Sequence, residues 1–201
     1  IDDLVRSSLL IRSKARDSFA DYSKAIETDP NKAEAETYLN RGILDGVMVK
    51  DYDKAILDFS KAIELDPNNA DAYYSRGVSK FNLKDYKGAI ADCTKAIEID
   101  PNDGLAYTYR ATSKNELNDY NGAIADYTKA IEIDPNNADI YKNRATSKFE
   151  LEDYNGVIAD YTNAIEIDPN NAIAYYNRGV SKRALKDDVG AISDYTKAIE
   201  I

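Results

Sequence analysis

All five prolines of this 201-residue chain follow an aspartate, and the Asp-Pro pairs recur at Asp29-Pro30, Asp66-Pro67, Asp100-Pro101, Asp134-Pro135 and Asp168-Pro169. Their spacings are 37, 34, 34 and 34 residues. A fixed period of this length marks a repeat architecture, in which each unit carries an apolar face that only its neighbour can bury. The copies are close, with residues 118–137 and 152–171 agreeing at 17 of 20 positions. Tyrosines keep the same period, one ladder running Tyr73, Tyr107, Tyr141, Tyr175 and another Tyr52, Tyr86, Tyr120, Tyr154. The chain therefore divides as one array: a partial unit at 1–30, then 31–67, 68–101, 102–135, 136–169 and 170–201.

Each unit reads as two helices. Asn68-Asn69 can cap a helix from Ala70 to about Leu83, with Asp71 suited to its positive end. Asp85 caps a second, from Tyr86 to about Ile99, whose Tyr86, Ala89, Ile90, Cys93, Ala96 and Ile97 recur at three- and four-residue steps. Asp100-Pro101 ends it, because proline drives the preceding residue out of the helical region and cannot donate a helical bond. Turns this short leave only antiparallel neighbours, so the fold class is all-α.

These residues resemble the tetratricopeptide repeat (TPR). The third unit carries Tyr73, Gly77, Ala89, Cys93, Ala96 and Pro101; the fourth Tyr107, Ala111, Ala123, Tyr127, Ala130 and Pro135. The fifth carries Tyr141, Ala145, Val157, Tyr161, Ala164 and Pro169, and the sixth Tyr175, Gly179, Ala191, Tyr195 and Ala198. The resemblance covers essentially the whole chain. It implies a right-handed superhelical solenoid of stacked helix pairs whose leading helices line a concave groove that grips extended peptides. Two departures recur: Arg76, Arg110, Arg144 and Arg178 stand where the family favours leucine, and Lys80, Lys114, Lys148 and Lys182 where it favours an aromatic.

The ends depart further. Ala15 and Ser18 replace the expected tyrosine and alanine of the first unit. The second unit holds three extra residues, two before Gly42 and one between Gly42 and Asp51, so its first helix (Ala33 to about Val49) should be longer or kinked. The chain begins at Ile1 rather than methionine, as a processed product or an excised fragment would, and stops at Ile201 before a sixth Asp-Pro. Ala191, Ile192, Tyr195, Ala198 and Ile199 are then expected to lie partly exposed, covered by further sequence or by another chain.

Composition narrows the chemistry. With no histidine and one cysteine, Cys93, there is no intrachain disulfide, zinc cluster or histidine base, so neither catalysis nor a cofactor is expected. A single cysteine fits a reducing compartment such as the cytoplasm without demanding one. Acidic residues outnumber basic ones 36 to 26, for a net charge of −10, which disfavours nucleic acid and anionic membranes and favours a neutral or basic partner. No run of about 18 apolar residues exists to span a bilayer. The Asp66 loop lacks the sixth-place glycine and twelfth-place glutamate of a calcium loop, so these turns read as caps.

The arginine ladder Arg41, Arg76, Arg110, Arg144, Arg178 has two readings: a stripe for carboxylates or phosphates, or internal pairing with Asp58, Asp92, Asp126, Asp160 and Asp194. The numbers match one to one, and a buried cation without a partner costs several kcal/mol, so pairing is expected. The lysine ladder is expected to be paired or solvated, and Cys93, in the place of Tyr127 and Tyr161, to sit in the core. The repeated Gly88, Gly122, Gly156 and Gly190 have no account at this level.

The second helices are near copies, whereas the first helices vary at particular places. The resemblance puts those places on the groove. There Tyr74, Phe81, Tyr109, Phe149 and Tyr176 offer contact area, Asn40, Asn143 and Asn177 offer amides that both donate and accept, and Lys142 adds a cation. Asn40 matches the asparagine of the family's terminal-carboxylate clamp. However, Asp71, Leu105, Asp139 and Ile173 hold the places of its lysine, and Ser75, Tyr109, Asn143 and Asn177 those of its arginine, which speaks against such a clamp. The expected role is a protein–protein interaction scaffold for an extended segment. The alternative is end-to-end self-assembly, with Ala191, Ile192, Tyr195, Ala198 and Ile199 against Leu4, Val5, Leu9 and Leu10 of a neighbour.

Overall fold

A computed structural model describes residues 17–29 and 33–201; Leu4, Val5, Leu9, Leu10, Ala15 and Pro30 lie outside the described residues. The chain divides into two compact units between Pro101 and Asn102. The first holds α1 (described over residues 17–28), α2 (Ala35–Leu44), a π-helical turn (Asp45–Val49), α3 (Tyr52–Leu65), α4 (Ala70–Asn82) and α5 (Tyr86–Ile99). The second holds α6 (Gly104–Glu116), α7 (Tyr120–Ile133), α8 (Ala138–Glu150), α9 (Tyr154–Ile167), α10 (Ala172–Ala184) and α11 (Asp188–Glu200). Adjacent helices pair as antiparallel hairpins, α2–α3 and α4–α5 in the first unit and α6–α7, α8–α9 and α10–α11 in the second. Hairpins stack in turn, α3 against α4, α7 against α8, and α9 against α10.

Local chemistry sets these boundaries. Asp51, Asp85, Asp119, Asp153 and Asp187 each accept a backbone N–H three residues on, at the start of every second helix from α3 to α11. Each such cap contributes about 1 kcal/mol. The donor N–H belongs to glycine in four cases, and the geometry says why. A Cβ at Gly88, Gly122, Gly156 or Gly190 would fall 2.1–2.2 Å from the capping carboxylate oxygen. Glycine thus costs about 1 kcal/mol of helix propensity but leaves the cap in place. The first helices are capped by Asn69, Asp103, Asn137 and Asn171. Asp66, Asp134 and Asp168 accept from the N–H groups of Asn68, Asn136 and Asn170, the Asx turns that stand in place of any calcium loop.

Between paired helices the chain turns through one left-handed residue: Lys50, Lys84, Asn118, Glu152 or Lys186, with φ of 58–65°. The N–H of the next aspartate closes the turn in the four later hairpins, as Asp153 does onto the Lys148 carbonyl at 3.0 Å. The second repeat fits one residue more between Arg41 and Lys50 than Arg76 and Lys84 enclose, and the π turn at Asp45–Val49 absorbs it. The expected long or kinked first helix is therefore α2 running into this turn.

Large and small residues meet where paired helices cross. Gly42 faces the Phe59 ring, Gly77 the Cys93 Sγ and Gly179 the Tyr195 ring, each so close that a Cβ would fall 2.7–2.9 Å from it. Ala111 and Ala145 take the same place beside Tyr127 and Tyr161. Cys93 is wholly buried, as expected of a core residue. One expectation fails: Ala191 is 1% exposed, because α10 covers it within its own hairpin.

A non-glycine residue at positive φ costs about 1–2 kcal/mol, against roughly 0.5–1 kcal/mol of extra chain entropy for glycine. Glu152→Gly should therefore raise stability by up to about 1 kcal/mol, or about 2–4 °C in melting temperature. Thermal unfolding followed by circular dichroism checks this.

Candidate functional site

The basic ladder turns inward. In each of five hairpins an arginine of the first helix forks onto the aspartate of the second: Arg41–Asp58, Arg76–Asp92, Arg110–Asp126, Arg144–Asp160 and Arg178–Asp194, with Nη2 to Oδ1 at 2.6–2.7 Å. Lys80, Lys114, Lys148 and Lys182 reach the second oxygen of the same aspartates at 2.7–2.8 Å. The free Nη1 also finds a partner across the hairpin stack, Arg76 on Ser60 Oγ, Arg144 on Thr128 Oγ1 and Arg178 on Thr162 Oγ1. Four guanidinium groups stand 5.4–5.8 Å from the ring centroid of the tyrosine three residues earlier. At Asp194, burial pushes the carboxyl up, but hydrogen bonds from Arg178 and Lys182 outweigh it and hold it below the usual carboxylate range. With its donors committed this way, the ladder is structural and not a stripe for anionic ligands.

The second hairpin breaks the pattern. Four residues after Arg41, where later units have lysine, stands Asp45, only 5% exposed and inside the π turn. Burial, then the like charge of Asp58, pushes its carboxyl above the ordinary value, with Lys54 and Arg41 opposing.

The residues expected on the groove fall on the first helices. In the first unit Asn40, Tyr74 and Phe81 are half-buried, and the Phe81 ring lies 5.6 Å from that of Tyr86. In the second unit Tyr109 is half-buried on α6 and Asn143 is exposed on α8, while Lys142 pairs with Asp139 at 2.5 Å. Phe149 is 40% exposed, with its ring edge against Tyr154. Tyr176 is 56% exposed and leans on Tyr195 at 5.7 Å, and the Asn177 amide donates to the Tyr161 hydroxyl at 3.1 Å. Asn177 thus spends a donor on holding α10 to α9, and Asn143 is the more open amide. Leu105 and Ile173, 55% and 69% exposed, also project from α6 and α10. They are first-helix residues that an apolar-for-aspartate exchange against Asp71 and Asp139 already marks in the sequence.

Ile173 and Tyr176 also line an open depression of about 570 Å³ on the last hairpin, with Ala172, Arg183, Tyr195, Ala198 and Ile199. Ile192 and Ile199 are 65% and 85% exposed, and Tyr195 and Ala198 half-buried. Among the described residues no group of three or more cysteine, aspartate or glutamate side chains is disposed to hold a metal ion, and no helix is long and apolar enough to cross a membrane.

Comparison with known proteins places these features. A model of the tetratricopeptide repeat matches residues 70–103, and a further TPR repeat model matches residues 50–84, 113–151 and 145–185. Among solved structures, YrrB, described as a TPR protein with an unusual peptide-binding site, is 26% identical with a TM-score of 0.77, over 89% of this chain and 91% of its own. MamA is 22% identical with a TM-score of 0.78, over 83% of this chain and 90% of its own. MamA from Desulfovibrio magneticus RS-1, from residue 41 to its end, is 19% identical with a TM-score of 0.76, over 83% and 93%. No curated protein sequence matches this chain.

Two substitutions test the electrostatics. Asp160→Ala strands Arg144 and Lys148 beside a buried gap and should cost about 3–5 kcal/mol, whereas replacing all three by leucine should restore much of that loss. Denaturant unfolding separates the two. Asp45→Asn should raise the melting temperature at neutral pH. An acid with a raised folded-state pKa destabilises only while ionised, so this gain should shrink as pH falls through that pKa. Melting curves across pH 3–8 read it.

Proposed function

The chain belongs to the tetratricopeptide repeat family, and on that premise we propose that it is a scaffold that holds an extended, neutral-to-basic peptide segment of another protein. TPR proteins mediate protein–protein interactions. The segment would lie along first helices α6, α8 and α10 of the second unit, on Tyr109, Lys142, Asn143, Phe149, Tyr176 and Asn177; Asn40, Tyr74 and Phe81 offer matching surface in the first unit.

One observation carries this reading. Leu105, Asn143, Ile173 and Tyr176, at places that differ from repeat to repeat, are exposed, while the constant arginine, lysine and aspartate are used up inside the hairpins. Aromatic and apolar side chains supply contact area, and an amide satisfies the backbone of a chain of any sequence. A scaffold already ordered leaves most of the ordering cost to the peptide, and nothing in this mechanism requires chemistry at the site. The net charge of −10 favours the approach of a basic segment. End-to-end assembly of identical chains is the weaker reading. The exposed Ile192 and Ile199 favour it, and a molar mass by light scattering that rises with concentration would support it.

The test starts from peptides selected on the full chain out of an unbiased linear display library. Combining Tyr109→Ala with Asn143→Ala should weaken the selected peptides at least about tenfold, the loss of roughly 1.4 kcal/mol typical of a central contact. The melting temperature should fall by no more than a few degrees. Unchanged affinity in the double variant would discard this groove.

A further inference from the structure

The second residue of each first helix in the second unit falls in one register: Leu105 on α6, Asp139 on α8 and Ile173 on α10. All three are open to solvent, the apolar pair at 55% and 69% and the Asp139 side chain at 77%. Leu105 and Asp139 stay open with the following hairpin stacked in place, α7 against α8 and α9 against α10. The row therefore does not owe its exposure to the last helices. An acid here suits the positive end of its helix, whereas leucine and isoleucine gain nothing there and, at this exposure, little from the core. One helical turn further on, on the same helix faces, stand Tyr109, Asn143 and Asn177.

The step along this row selects a backbone conformation. Helices packed side by side lie about 8–10 Å apart, and α6 touches α8 directly. A polyproline II chain has three residues per turn and rises about 3.1 Å per residue, so every third side chain returns to one face after about 9.3 Å. A β-strand returns to one face only after about 6.8 Å or about 13.6 Å, and neither fits. Polyproline II also makes no internal hydrogen bonds, which leaves its carbonyls to accept from an amide such as Asn143. In the middle of the row, Asp139 Oδ1 takes Lys142, an exposed pair worth little by itself, and a carboxylate has lone pairs for a second donor.

Resting on the groove reading above, we propose that the second unit takes a peptide in the polyproline II conformation with the pattern apolar-x-x-basic-x-x-apolar. Its basic residue meets Asp139, and its apolar residues lie on Leu105 and Ile173. The acid between two apolar seats and the net charge of −10 both call for a cation at the centre. The pattern is the same from either end, so it fixes the class of sequence without fixing the direction of the bound chain.

The probe is the synthetic peptide Leu-Pro-Pro-Arg-Pro-Pro-Leu, blocked at both termini and titrated into the full chain. Saturable binding that shifts the NMR signals of Leu105, Asp139 and Ile173 is the expected result. Exchanging the peptide arginine for glutamate should weaken binding at least about tenfold, since a charged hydrogen bond becomes a repulsion. Moving the arginine one place, as Leu-Pro-Arg-Pro-Pro-Pro-Leu, should weaken it as well. Asp139→Lys in the chain should reverse the preference, so that the glutamate peptide binds the tighter. That side chain is already in water, so the melting temperature should fall by no more than a few degrees. Equal affinity for the three peptides overturns the proposal, as does a preference for arginine that survives Asp139→Lys. Failure of the probe to saturate overturns it too, and the library-selected peptides then judge the groove separately: if they still lose affinity in the combined Tyr109→Ala and Asn143→Ala variant, the groove stands and only this pattern falls.

Discussion

One aspartate per hairpin sits between two helices at 1–5% exposure, and it stays there only because a guanidinium fork meets it, joined by an ammonium group in the four later hairpins. A lone carboxylate at that depth would cost several kcal/mol, and so would either cation without it. The planar fork accepts a carboxylate in one orientation, so the pair fixes register and spacing between helices as well as charge. Through Nη1 the same arginine reaches the hairpin before it, in the first unit at Ser60 and in the second at Thr128 and Thr162. Pairing and stacking therefore share one residue. Family consensus leucine at that place would supply burial but not this direction, which is a physical reason why basic residues can stand where an apolar one is usual.

That commitment decides where function can lie. The most regular basic ladder of the chain, five arginines and four lysines, is spent inside the hairpins and offers no cationic stripe. Outward on the first helices stand Leu105, Asn143, Phe149, Ile173 and Tyr176 beside the acids Asp71 and Asp139, a chemistry that suits peptide more than phosphate. The second hairpin shows the cost of leaving the rule. Asp45 takes a buried place near Asp58 where the later hairpins have lysine, and burial, then the like charge of Asp58, pushes its carboxyl up.

The period, helix limits, cap residues and arginine pairing were all legible in the sequence because each follows from local spacing or from a one-to-one count of charges. The extra residue between Gly42 and Asp51 was legible too, but only its position; that a π turn absorbs it depends on how α2 meets α3. The left-handed Lys84 and Glu152 left no trace, since neither residue type advertises positive φ. The recurring glycines had no reading until the capping carboxylates were seen 2.1–2.2 Å from where their Cβ atoms would stand. For the proposed groove, variability singled out first-helix positions but could not say that Asn177 is tied to Tyr161 while Asn143 is exposed, because that depends on a contact 16 residues away in sequence. Ala191 failed as an exposed residue for the opposite reason: its burial comes from its own hairpin partner, not from a following one.

The stack also accounts for the near-constancy of the trailing helices. The tyrosine and alanine of α7 and α9 lie beneath α8 and α10, and full burial of a large apolar side chain contributes roughly 1.5–3 kcal/mol. Thr128 and Thr162 donate to carbonyls one turn back and present their lone pairs to Arg144 and Arg178. A hydroxyl buried there without that donor would leave a desolvated acceptor unmet, at about 1–3 kcal/mol. The apolar stripe supplies the burial, and the threonine fixes the register in which the next hairpin is accepted.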